Sequence, residues 1–418
     1  MRALTALLTL GLCTAIVGCG GDDSDGTTDD AAVPMEDAAV ADMGPACEPT
    51  GMIPTSRGEH GAVLDAGRNR ILVYGGNLAF PIECRPMTEI TDELWAFDLD
   101  CQSWTQLTAT GGPGLRARHG MVTAADGQSA YLFGGRVQAG GGGYTNFADV
   151  WQLDFATLSW TEIPTTGEAP PPRSHPAVAH DAARNRLIVF GGNTSTSGLS
   201  IVGTDDTWAL DLTSGAWTRI AEAAAPPPRY AHAFAHRGDT FYVFGGSPDF
   251  DGPFTNDVWA LDLTTDTWTQ IAGGGPDAPI GRFGSGLFAT DTQLVMVAGH
   301  DSAALGNVND IWTVDLATGA WSEVVRGDEL NNPDVGFCMF PADFTTPDTE
   351  APERRHYFGT VQAGGTGYVL MGKTDCGNAN DVWSVDLASP AWELFGQAST
   401  SGEACNRSGA TTCTELCF

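Results

Sequence analysis

Residues 256–268 read NDVWALDLTTDTW, and the same pattern stands at five other places in the chain. The counterparts of its first eight residues are DELWAFDL (92–99), ADVWQLDF (148–155), DDTWALDL (205–212), NDIWTVDL (309–316) and NDVWSVDL (380–387). A second tryptophan follows the first nine positions later every time, giving Trp95/Trp104, Trp151/Trp160, Trp208/Trp217, Trp259/Trp268, Trp312/Trp321 and Trp383/Trp392. These pairs use all 12 tryptophans, so the indoles belong to a repeated structural unit and are expected in the core, not as an exposed stacking platform.

Upstream of each first tryptophan lies an apolar run that closes on small residues. The runs are ILVYGG (71–76), AYLFGG (130–135), LIVFGG (187–192), FYVFGG (241–246), VMVAGH (295–300) and YVLMGK (368–373). Earlier still comes an arginine, usually with a nearby histidine, and then a short apolar stretch such as His60–Leu64. Each unit therefore reads as four strands. The first follows the Arg/His, and the second is the continuous apolar run of a strand covered on both faces. The third carries the first tryptophan with alternation, and the fourth carries the second tryptophan after a short turn. The aspartate three after the first tryptophan (Asp98, Asp154, Asp211, Asp262, Asp315, Asp386) is placed to cap that turn. Ala298-Gly299 and Gly372-Lys373 stand where the other units have Gly-Gly, so an altered turn is expected in the last two. One such sheet buries little by itself. Radial stacking lets the tryptophans fill the wedges between sheets.

The di-glycine after an apolar strand, the aromatic pair and the spacing of about 50 residues per unit resemble the kelch repeat. The resemblance covers residues 50–396 and implies an all-β, six-bladed kelch-type β-propeller of four-stranded antiparallel blades over residues 47–397. An insertion at about 326–350 enlarges the connection between the last two blades. Blade one starts with its innermost strand and blade six ends with its outermost, so closure is expected without exchange of a strand between the two ends.

The 418 residues carry 20 Lys+Arg against 52 Asp+Glu, a formal charge of −32, which argues against nucleic acid and against docking on anionic headgroups as functions. Met1 to Gly18 has a charged start and an apolar stretch too short to span a bilayer. Its end, Ile16-Val17-Gly18-Cys19, resembles the bacterial lipobox, which implies a lipoprotein signal peptide over 1–18 and lipidation at Cys19. Residues 19–46 hold eight acidic residues, no basic residue and no aromatic, the composition of a self-repelling tether. The expectation is an exported, monomeric protein held to the cell envelope by lipid, with the outer membrane favoured. Eight cysteines remain after the signal and Cys19, including three in the tail at 398–418; Cys338–Cys376 is the expected disulfide. No C-x₂-C pair suggests zinc, and no cofactor is expected.

The candidate site is the Arg/His set before the innermost strands: Arg57, His60, Arg118, His119, Arg173, His175, Arg229, His232, Arg282, Arg354 and His356, together with Arg116 and Arg355. In a propeller these positions converge on one channel mouth. There they would hold an anionic ligand such as a carboxylated sugar, or serve structurally by bonding loop carbonyls and neighbouring blades. No P-loop, G-x-S-x-G or H-E-x-x-H pattern is present. The expected function is a non-enzymatic interaction module for a protein or glycan at the envelope. The alternative, implied by the resemblance, is a sialic-acid epimerase-like enzyme using Arg118, His119, Arg229, His232 and Glu59. A galactose-oxidase-like copper enzyme would need a Tyr–Cys cross-link, and no such pair can be assigned.

Overall fold

The computed structural model describes residues 47, 51–79, 88–198, 200–221, 223–301, 306–330, 345–346, 348, 350–374 and 377–396. The expected signal segment, Cys19, the tether, the Cys338–Cys376 pair and the cysteine-bearing tail lie outside them. Cys47 and Cys101 are each disulfide-bonded. The chain divides into two units, Met1–Cys47 and Glu48–Phe418, and every strand among the described residues belongs to the second. Among the described residues, no helix is long and apolar enough to cross a membrane.

Six four-stranded antiparallel sheets succeed one another along the chain, the sixth with an additional two-residue strand, Arg355–His356. Blade one is built from Gly61–Asp65, Arg70–Tyr74, Leu94–Asp98 and Ser103–Leu107, each paired with the next. The other five repeat the scheme, with innermost strands Gly120–Thr123, Ala177–Asp181, Ala233–Arg237, Gly286–Ala289 and Gly359–Ala363. Each innermost strand lies against the next around a ring, and Gly359–Ala363 of blade six lies against Gly61–Asp65 of blade one. The ring is closed with all four strands of every blade drawn from one stretch of chain, so no strand is exchanged. Part of the insertion forms a two-residue pairing of Glu329–Leu330 with Thr345–Thr346.

The second strand of each blade is buried on both faces, as in Ile71, Leu72 and Val73, which explains why these runs lack alternation. The aspartate after each first tryptophan accepts backbone N–H groups of the following turn, for example Asp211 from Thr213 and Ser214 at 2.9 and 2.7 Å. The second tryptophans set the contact between blades. Trp160 packs on Tyr74, Trp217 on Phe133, Trp268 on Phe190 and Trp321 on Phe244, with ring centroids 5.0, 5.6, 4.8 and 5.6 Å apart. In each case the partner is the residue just before the glycine pair of the preceding blade. Trp392 meets the cluster of Val297, and Trp104 that of Leu370, the aliphatic residues at this position in blades five and six.

The first residue of the glycine pair has φ 67, 67, 60 and 67° in blades one to four, and its carbonyl neighbours leave no room for a side chain. A Cβ on Gly245 would lie 2.6 Å from the Arg282 carbonyl oxygen. In blade five the position is Ala298, at φ 52°; in blade six it is Met371, at φ 58°. The repeat in blade six is thus one residue earlier than Gly372-Lys373 suggested: Met371-Gly372 is the pair, and Lys373 comes after it. The left-handed conformation is kept in both blades. What changes is the continuation, because strand two runs on past a bulge to Asp301 and Thr374, and strand three begins correspondingly early, at Gly306 and Asn378.

Candidate functional site

The repeated arginine opens each innermost region. Arg57, Arg116, Arg173, Arg229, Arg282 and Arg355 are all at most 1% exposed. Each turns into its own blade and pairs with the carboxylate two residues before the first tryptophan. The partners are Glu93, Asp149, Asp206, Asp257, Asp310 and Asp381, at 2.5, 2.8, 2.7, 2.9, 2.6 and 2.5 Å. The same guanidinium donates to the carbonyl of the first residue of the glycine pair, as Arg173 does to Gly191 and Arg355 to Met371. The carboxylate also accepts the indole N–H of that tryptophan, from Trp95, Trp151, Trp208, Trp259, Trp312 and Trp383. Arginine, carboxylate, indole and turn carbonyl thus form one closed polar network per blade, repeated six times. Burial alone would raise the Asp206 carboxyl, but Arg173 and the donors around it hold it at about 2. Sequence reasoning missed the acidic residue two before each first tryptophan, although its six-for-six recurrence was the available signal.

Arg57, Arg173, Arg229 and Arg282 of the candidate set are therefore committed inside blades. Arg354 is buried against Asp328 at 3.3 Å. The histidines three residues after the arginine, His60, His119 and His232, stand between blades. His119 meets Tyr74 of blade one edge-on and His232 meets Phe190 of blade three. A Cβ on Gly61 would lie 2.5 Å from His119 Nε2, so this strand must begin with glycine. Burial holds His60 and His232 down to about 3 and His119 well below its ordinary value, and all three are neutral.

The residues two after each arginine do reach the channel. They are Glu59, Arg118, His175, Ala231, Gly284 and Tyr357, every one at positive φ between 52 and 65°. Their backbones link around the mouth: Arg118 N–H donates to Glu59, His175 to Arg118, Gly284 to Ala231, Tyr357 to Gly284 and Glu59 to Tyr357. The last of these bonds, at 2.8 Å, closes blade one onto blade six. Six equivalent positions thus project six different residues over a channel of about 350 Å³ lined by all six innermost strands.

The mouth is electrostatically uneven. Glu59 accepts Arg118 Nη2 at 2.7 Å and Lys373 Nζ. Burial opposes its ionisation, but these two cations outweigh the burial and hold its carboxyl well below the usual range. Nearby, Arg136 is 5% exposed and its guanidinium stacks 3.6 Å from the Tyr144 ring. It has no ion pair among the described residues. Burial first and then the Arg118 charge push it down to about 10. Three cations therefore share one carboxylate. Toward blades four to six the mouth is aromatic, with His175 5.0 Å from Tyr357 and 5.6 Å from Tyr230, and with Phe283, His300 and His356 packed behind. Arg118, His175 and His356 are the candidate residues that this arrangement brings together. Among the described residues, no group of three or more His, Cys, Asp or Glu could hold a metal ion.

The KLHDC2/KLHL20/DRC7 Kelch-repeats domain matches this chain over residues 12–222 and again over 140–346. The chain is a member of that kelch-repeat family. The kelch chain is 32% identical over 220 residues to acyl-CoA-binding domain-containing protein 5 of Arabidopsis thaliana, covering 52% of this chain and 31% of the relative. It is 26% identical over 286 residues to human Kelch domain-containing protein 10, covering 66% and 60%, and 28% identical over 297 residues to rat host cell factor 1, covering 64% and 14%. The kelch chain thus spans less than two thirds of each of these relatives. The likeness fits a protein-interaction module.

Proposed function

We propose that this kelch propeller is a non-enzymatic docking module, exported and held to the cell envelope by lipid at Cys19, whose channel-mouth face receives an acidic group of a protein or glycan. One observation carries the reading. The repeated charges are locked into intrablade networks, whereas the residues at six equivalent mouth positions differ from blade to blade. In a repeat scaffold, departure from the repeat marks a surface adapted to something other than folding. Arg136, Arg118 and Lys373 outnumber the single carboxylate of Glu59, and that excess of positive charge gives the ligand its sign. The epimerase alternative is less well supported, since of its two candidate arginines Arg229 is tied to Asp257 and the Gly245 carbonyl, and Arg118 is already paired with Glu59.

The test is photo-cross-linking in the native envelope from Phe250, 64% exposed on the loop after the glycine pair of blade four, with Ser214 in a turn between the outer strands as the control. The reading requires a defined product from Phe250, absent from Ser214 and lost with Arg118→Met. Equal products from both positions, or one indifferent to Arg118→Met, would contradict it.

A further inference from the structure

The residue after each glycine pair holds the same ladder position in all six blades, opposite the residue that follows the repeated arginine. The six are Asn77, Arg136, Asn193, Ser247, His300 and Lys373. Four of them brace the loop that comes next. Asn77 accepts the N–H groups of Ala79 and Glu89, Asn193 accepts those of Ser195 and Val202, Ser247 donates to the Asp249 carbonyl, and His300 bonds Asn307. Lys373 is spent on Glu59. Arg136 departs from this pattern. Its guanidinium lies on the Tyr144 ring and donates to no protein acceptor among the described residues.

The residue opposite Arg136 is Ala117, and the matching residues of the flanking blades are Gly58 and Ser174. Blades four to six carry Tyr230, Phe283 and His356 at that position. Small residues thus leave room beside Arg136, and aromatic rings wall the opposite side. Unused donors face this space. Arg136 Nε, Nη1 and Nη2, Arg118 Nη1 and the hydroxyls of Tyr144, Tyr230 and Tyr357 have no partner among the described residues, and none of them is shut off from solvent, as Arg118 Nε is. The charges of Arg118 and Arg136 both bear on Tyr230 and on Tyr357, as they do when these groups surround one space.

Glu59, the carboxylate these cations share, is already taken by Arg118 and Lys373, so an excess of two positive charges remains. A carboxylate ligand cancels one and offers two oxygens. A phosphate monoester at neutral pH cancels nearly both and offers three. The backbone of the mouth has little to give a peptide main chain. Glu59, Arg118, His175, Gly284 and Tyr357 spend their N–H groups on one another's ring, and the ladder positions beside them are paired. Recognition falls to hydroxyls and guanidinium groups, which suit a sugar.

We propose that the acidic group received at this mouth is the phosphate of a phosphorylated saccharide, held by Arg136 and Arg118 Nη1, with sugar hydroxyls meeting the phenols of Tyr230 and Tyr357. The assignment rests on the docking reading of the mouth and names its ligand.

Isothermal titration calorimetry of the full chain compares glucose 6-phosphate with glucuronate, with glucose and with N-acetyl-O-phosphoserine-N-methylamide. Glucose 6-phosphate is expected to bind at least tenfold more tightly than glucuronate or the phosphoserine probe, and glucose to give no binding heat. Arg136→Met is expected to weaken glucose 6-phosphate at least tenfold with the urea midpoint unchanged or raised. Tyr230→Phe, which keeps the ring and removes the hydroxyl, is expected to weaken it severalfold. No binding of glucose 6-phosphate, equal binding of glucuronate or of the phosphoserine probe, or undiminished binding in both variants overturns the proposal. If the Arg118-dependent cross-link from Phe250 still forms after such a result, the docking reading survives it; if that product is also absent, both fall.

Discussion

Lys373, on blade six, is the only lysine of the chain, and its ammonium is buried on the carboxylate of Glu59, on blade one. These residues are 314 positions apart in sequence and sit side by side where the ring closes. The backbone supports the same joint, since Gly372 N–H donates to the Arg57 carbonyl at 2.9 Å and Asn378 Nδ2 to the carbonyl of Leu78 at 3.0 Å. A propeller that exchanges no strand closes here by a side-chain ion pair and a few such bonds.

Glu59→Gln is expected to destabilise more than Lys373→Met. The first leaves Arg118, Arg136 and Lys373 buried without their carboxylate, at a cost of about 3–5 kcal/mol. The second leaves Glu59 still paired with Arg118 and should cost about 1–2 kcal/mol. Urea unfolding of both variants checks the order; the reverse order would mean that Lys373, not Glu59, organises the mouth.

Arg136→Met is expected to be neutral or stabilising by about 1 kcal/mol, because it removes a buried cation that makes no ion pair among the described residues and that competes with Arg118 and Lys373 for the one carboxylate of Glu59. A loss above about 2 kcal/mol in thermal or urea unfolding would assign Arg136 a structural role instead.

The two tryptophans of a unit should differ. Trp268 is 2% exposed against Phe190 of the neighbouring blade, and Trp268→Ala should cost about 3–5 kcal/mol through the cavity left between blades. Trp259 is half-buried and held by its bond to Asp257, so Trp259→Ala should cost about 1–3 kcal/mol. A double-mutant cycle of Trp268 with Phe190 should give a coupling of about 0.5–1.5 kcal/mol. No coupling would place the indole outside the wedge.

Stability should fall as pH drops from about 6.5, before the carboxylates titrate. His60 and His232 sit near 3 in the fold and His300 near 4, because burial disfavours the imidazolium. Below about 6.5 the unfolded chain takes up protons that the folded chain refuses, so stability present at higher pH is progressively lost. For His60 and His232 the loss at pH 5 is ~2 kcal/mol each. Asp206, depressed to about 2, acts only below its ordinary value near 3.8. Urea midpoints at pH 7.5 and 5 check this, and His232→Gln should flatten the dependence. A midpoint unchanged between those pH values would show that these imidazoles ionise freely.

The blades were legible because their signals are local and repeated: NDVWALDL and its counterparts fix strand three, and the ILVYGG-type runs fix strand two. The channel mouth was less so. Arg57 and Arg118 look alike in sequence, yet one turns into its blade toward Glu93 and the other faces the channel. The difference is two residues of offset and the positive φ of the later one, a tertiary fact that composition does not carry. The shift in blade six misled for a related reason: Met371 adopts the conformation for which glycine is the usual sign, so Gly372-Lys373 looked like the pair. Glu93 escaped notice because its partner Arg57 lies 36 positions earlier.

The most direct test of the closed ring is the reactivity of its single lysine. The folded protein, treated with an acetylating amine reagent and digested, should show Lys373 unmodified under conditions that fully modify it in urea. Modification of Lys373 in the folded protein at the rate of the unfolded control would mean that Glu59 does not hold it and that blades one and six do not meet as described.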